Sequence, residues 1–168
     1  MRANRAAIGA ALLLLGCSQA ARGVCSEHLF VIARSKNANV VVYDVKVDAS
    51  GRLAAEPVSA YWLLDGDPAR REELTTFELN RAYGFTIGPG EEPDTFTLAF
   101  KARKGSRATV RMRDGCPVAL VKIHGHLAIL KRIYVKSKEG GLMPKVESIE
   151  LFGEDATTGK PLHEKIAT

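Results

Sequence analysis

Cysteine is scarce, with three residues in 168. That is too few for a disulfide-scaffolded mini-protein and too scattered for a cysteine-rich zinc site. No apolar run reaches the roughly 20 residues that a spanning helix needs; the longest, Ala6 to Leu15, is about half that length. Internal repeats, low-complexity tracts and interdomain linkers are lacking, which excludes solenoids and disordered arrays. No Gly-x-Ser-x-Gly elbow, His-Glu-x-x-His helix or Gly-x-Gly-x-x-Gly turn occurs, so the common hydrolase, metalloprotease and dinucleotide signatures are missing. Charge of one sign is not in large excess either: 24 Lys and Arg face 19 Asp and Glu, a net of +5, and no nucleic-acid partner is expected. What remains is ordinary globular composition, 46% hydrophobic and 26% charged, of a length typical of one domain.

The first segment reads as an address. Arg2 and Arg5 form a positive stretch, Ala6 to Leu15 an apolar one, and Leu14-Leu15-Gly16-Cys17 follows. This is the layout of a secretory leader ending in a bacterial lipobox, residues 1–16, with Cys17 the site of lipidation. Two or three acyl chains on Cys17 would anchor the chain stably where one would not. Ser18-Gln19-Ala20 offers ordinary cleavage after Ala20 as the alternative, giving a soluble periplasmic or secreted protein. Ser18 in place of Asp after the acylated cysteine favours the periplasmic side of the outer membrane. Residues 18–26 then form a tether, and 27–168 a single β-rich domain. Either cleavage leaves Cys25 and Cys116, and in an oxidising compartment that pair is expected to form a disulfide, the alternative being two free thiols.

The body alternates with a period of two. Eight strands are expected: His28 to Arg34, Val41 to Asp48, Val58 to Leu64, Thr95 to Lys101, Arg107 to Arg113, Val118 to Ile123, Leu127 to Lys136 and Lys145 to Phe152. Asp114-Gly115 is a two-residue hairpin signal, and His124-Gly125 is read as another turn. Residues 70–83 are rich in helix formers, and Gly84 can end a short helix there. The tail after Gly159 is expected to be flexible. With no β-helix-β alternation, the expected fold is mostly β, an antiparallel barrel or sandwich.

Several stretches resemble one family. They include His28-Leu29-Phe30-Val31-Ile32, Arg34 to Asn39, Val41-Val42-Tyr43-Asp44, Tyr61-Trp62, Ala82-Tyr83-Gly84-Phe85, Arg132-Ile133-Tyr134-Val135 and Ile149-Glu150-Leu151-Phe152-Gly153. Together they look like the bacterial domain of unknown function 4833, over roughly Glu27 to Ile166. The resemblance implies a small exported protein, sometimes a lipoprotein, and carries no catalytic residue with it.

Two candidate sites stand out. Arg34, Lys36, Tyr43, Tyr61, Trp62 and Tyr83 could line a ligand pocket, since β-barrels of this size can hold one small molecule; the same aromatics could equally be core. Lys101, Arg103, Lys104, Arg107, Arg111 and Arg113 form a basic hairpin with no acid between Lys101 and Arg113. It could meet an anionic envelope component or remain a solvated face. No metal site is expected from His124-Gly125-His126, because the glycine marks a turn. The Gly153 to Lys160 stretch fails as a phosphate loop, with wrong spacing and Pro161 where a hydroxyl is needed. No cofactor and no catalytic residue is assigned. The sequence favours a non-enzymatic envelope binding or structural module, with a small hydrolase or isomerase as the alternative.

Overall fold

The computed structural model describes residues 25–35, 37–138 and 145–168. The leader, Cys17 and Lys36 lie outside them. The described residues form eleven strands: β1 Phe30–Arg34, β2 Asn37–Val47, β3 Leu53–Leu63, β4 Arg71–Glu73, β5 Phe85–Pro89, β6 Thr95–Phe100, β7 Arg107–Arg113, β8 Cys116–Ile123, β9 His126–Lys138, β10 Lys145–Asp155 and β11 Pro161–Ala167. One helix, α1 Thr76–Arg81, joins β4 to β5. All strands belong to one sheet, which is not closed into a barrel.

That sheet forks at β9. One edge of β9 is shared: His126 to Ile129 pairs with β8, and Arg132 to Val135 pairs with β1. The other edge pairs with β10 from Ala128 to Lys138, and β10 pairs with β11. Two wings, β4-β3-β2-β1 and β8-β7-β6-β5, therefore diverge from one spine and fold onto each other. The core lies between them. Phe30 and Tyr43 of the first wing stack at 4.4 Å between ring centroids, and Phe100 of the second meets both edge-on. Val41, Leu98, Val110, Ala119 and Leu130 complete it with no measurable exposure. Alternation in β6 and β7 produces this side, since every second residue faces inward.

The expected all-β sandwich-like class holds, with four corrections of detail. There are eleven strands rather than eight. β4 is three charged, exposed residues at a sheet edge, and β5 alternates only over Phe85-Thr86-Ile87 before Gly88 and Pro89, too short a run to stand out. The tail after Gly159 is not loose: β11 pairs with β10 from Pro161 to Ala167. The sheet is not wholly antiparallel, because β1 and β9 run parallel; residues about a hundred apart in sequence leave no local trace of such a pairing. Finally, the helix is Thr76–Arg81 rather than 70–83. Thr75 and Glu78 form a reciprocal capping box that fixes its start. Ala82 caps its end, and Gly84 then passes so close to the helix that a Cβ there would fall 1.5 Å from the Leu79 carbonyl oxygen.

Two hairpins turn where the sequence indicates. Asp114-Gly115 and His124-Gly125 all have positive φ, at 51° and 79°, and 49° and 80°. Those are the angles that a two-residue turn between twisted strands requires. Cys25 and Cys116 are bonded, closing a loop across 91 residues and tying the segment before β1 to the start of β8.

Candidate functional site

Register across the spine builds a continuous face. Arg34 of β1 lies opposite Val135 of β9, which lies opposite Ile149 of β10 and then Ile166 of β11. The neighbouring row on the same face is Ile32, Ile133, Leu151 and Glu164. A bulge between Val146 and Ser148 places Val146 opposite Ser137, and so on that face too. Strands of this kind normally cover such a face with a second layer. Here the second wing only partly covers it, and a groove opens over β9, β10 and β11.

Two adjoining cavities make up the groove. One, about 700 Å³, runs between that apolar face and a wall made by the β6–β7 turn and β8, with Leu120, Leu130, Ile133, Leu151 and Ile166 among its lining. The other, about 600 Å³, continues past Val135 and Ile149 to Arg34, Tyr83, Arg81 and Arg103. Both volumes lie in the range of small-molecule sites, about 300–1,000 Å³. Leu127, at 52% exposure, and Val146, at 37%, leave apolar surface open at the two cavities.

The rim is cationic. Arg34, Arg81, Arg103, Lys104, Arg107 and Lys122 line the groove, against one carboxylate side chain, Glu164. Glu164 is itself engaged, accepting the His124 backbone N–H at 2.7 Å. None of the six cations is ion-paired among the described residues, whereas Arg52, Arg70, Arg71, Lys131, Lys136 and Lys138 elsewhere on the domain are. Arg34 is held in place. Its guanidinium stacks 4.8 Å from the Trp62 ring centre and 5.8 Å from that of Tyr83. Trp62 and Tyr83 meet edge to face at 5.1 Å, and the Trp62 indole donates to Glu78 at 3.1 Å. Burial opposes ionisation of Glu78, but the Thr75 backbone and hydroxyl, the indole N–H and the Arg34 charge outweigh it and hold the carboxyl below its ordinary range. The Nε of Arg34 is buried with no hydrogen-bond partner among the described residues.

The two candidate sets from the sequence thus partly merge. Arg34 and Tyr83 from the first line the same groove as Arg103, Lys104 and Arg107 from the second. Trp62 stands behind Arg34. Tyr43 is fully buried, and its hydroxyl donates to the Tyr83 carbonyl at 2.6 Å; burial pushes its pKa up. Tyr61 points to the opposite side of the sheet, donating to Asp44 at 2.6 Å beneath Arg71, and burial followed by the Asp44 hydrogen bond pushes its pKa up to about 12. On that far side His28 also meets Asp44, and Phe152 stacks between Arg132 and His163; neither set lines the groove. The basic hairpin is not free of acids in space. Glu92 reaches Arg111 at 2.8 Å and Asp114 reaches Arg113 at 3.5 Å, while Lys101 donates to Asn80. Arg81, Lys122 and the apolar floor were not legible as site residues. The alternation of β9 and β10 gives the floor's facing, but nothing local shows that it is left uncovered.

The geometry defines an open, forked β-sandwich with a cationic-rimmed apolar groove. The chain belongs to the family described as Domain of unknown function (DUF4833), whose sequence model matches residues 30–165. No curated protein and no solved structure matches the chain.

Proposed function

We propose that this protein is a non-enzymatic, lipid-tethered module of the bacterial envelope that holds a ligand in the groove beside β9. The observation that carries the reading is the composition of the groove: an apolar floor, six cations that form no ion pair among the described residues, and no histidine or cysteine in its lining. A binding site needs apolar surface and a few placed polar groups, and this one has both. An enzyme would need convergent titratable groups with a nucleophile or base; the lining supplies cations, hydroxyls and one carboxylate already bonded to backbone. The leader and Cys17 support attachment, and Cys25–Cys116 fits an oxidising compartment.

Two measurements test the two halves. Labelled palmitate should be incorporated by the wild-type chain expressed in bacteria and lost in Cys17→Ser, with loss from the membrane fraction. For the groove, the neutral probe N-phenylnaphthylamine should brighten with the wild type and lose affinity with Ile166→Glu and with Leu127→Glu, both of which put a charge among the lining residues. Unchanged labelling in Cys17→Ser would reject the tether. Equal probe binding by all three chains would reject the groove.

A further inference from the structure

The charge distribution narrows what the groove can hold. Its two ends differ. At the Arg34 end, three guanidiniums line one cavity together with the terminal residue Thr168, and the Glu78 carboxylate beyond Arg34 is occupied by Thr75 and Trp62. Arg34 is fixed by two aromatic faces before any ligand arrives, so little conformational entropy is lost when it binds. From there the floor continues as aliphatic side chains along Val135 and Ile149 toward Ile133, Leu151 and Leu130. Planar guanidinium forks match a carboxylate or phosphate, and aliphatic walls match a hydrocarbon chain.

We infer that the groove holds a single anionic amphiphile, with its carboxylate or phosphate at Arg34, Arg81 and Arg103 and its acyl chain along the β9–β10 face. The inference rests on the binding reading above and specifies its ligand. A cationic amphiphile is repelled by six cations that form no ion pair among the described residues, and a neutral one offers the three guanidiniums no charged acceptor.

Trp62 is the sole tryptophan of the chain and lies directly under Arg34, so it reports on the head-group end. The full chain carrying Cys17→Ser is titrated with laurate, dodecyl phosphate, neutral monolaurin and dodecyltrimethylammonium, each kept below its micelle concentration. Calorimetry gives affinity and Trp62 emission gives position. Laurate or dodecyl phosphate, or both, should bind at least about tenfold more tightly than monolaurin and shift Trp62 emission, which monolaurin should not; the stronger of the two identifies the head group. Arg81→Gln and Arg103→Gln, both exposed and outside the core, should each weaken the anionic ligand about tenfold and leave monolaurin unchanged. Arg34→Gln should weaken it further and abolish the Trp62 response. Equal binding of anionic and neutral chains, or indifference to Arg81→Gln and Arg103→Gln, would overturn the inference and leave the groove as a general apolar site. Binding of no amphiphile would overturn the groove reading as well. Binding to anionic vesicles without binding of monomeric laurate or dodecyl phosphate would overturn it in favour of surface attraction.

Discussion

Replacing both bonded cysteines tests how much the fold gains from tying the segment before β1 to the β7–β8 hairpin. Only the short β1 and the segment before it link residue 25 to the core, and the disulfide fastens that segment to the β7–β8 hairpin. Cys25→Ala with Cys116→Ala leaves the native pairing intact: Leu29 N–H still bonds the Tyr43 carbonyl at 2.9 Å, and β1 still lies between β2 and β9. The loss is expected to act on the unfolded chain. Closing a loop across 91 residues removes entropy worth about 4.6 kcal/mol at 25 °C in the chain-entropy model. With an unfolding entropy of about 300 cal/mol/K for a domain of about 140 residues, the melting temperature should fall by about 15 °C. Urea unfolding followed by Trp62 fluorescence, without reductant, measures it. The slope of stability against urea should rise slightly, because the unlinked chain exposes more surface. A loss below about 1 kcal/mol at unchanged slope would refute the reasoning, since the loop length then does not set the stabilisation.

Three further predictions follow from single side chains. Tyr43→Phe strands the Tyr83 carbonyl that now accepts at 2.6 Å in the core, and should cost about 1–3 kcal/mol in the same urea assay. Gly84→Ala drives a methyl into the Leu79 carbonyl and should cost at least about 2 kcal/mol, while also lowering laurate affinity, because Ala82 and Tyr83 beside it line the groove. Glu78 has a folded-state pKa below its unfolded value of 4.5, so it contributes stability above that pH and loses it as pH falls through the folded value. Wild type should therefore exceed Glu78→Gln in stability at neutral pH, with the gap closing below about pH 4.5; a gap that widens in acid contradicts the capping-box account.

Local chemistry was readable and long-range chemistry was not. Asp114-Gly115 announced its turn because only a few residue types tolerate two successive positive φ values. The even pair Cys25 and Cys116 announced the disulfide by count, and β6 and β7 announced themselves by strict alternation. By contrast, β11 reads Pro-Leu-His-Glu-Lys-Ile-Ala, an edge strand with half-exposed Leu162, Glu164 and Ile166 on one side, too polar to stand out. Arg111 looked unopposed because Glu92 is 19 residues away and reaches it only once β6 folds back. Tyr43 looked like a pocket residue because a phenol in a core and a phenol in a site have the same sequence context. The groove itself depends on which parts of β9 each wing covers, a property of the fork and of no single segment. Arg34 stands beside aromatic strands in the sequence, and only the fold shows that its guanidinium stacks on Trp62 and Tyr83.

Methyl NMR of the Cys17→Ser chain during a laurate titration tests the central claim most directly. The account predicts shift changes at Leu130, Ile133, Val135, Ile149, Leu151 and Ile166, which line the groove, and none at Val42 and Leu63, whose small cluster lies on the far side of the same sheet. Changes concentrated on Val42 and Leu63, or spread evenly over both faces, would contradict it.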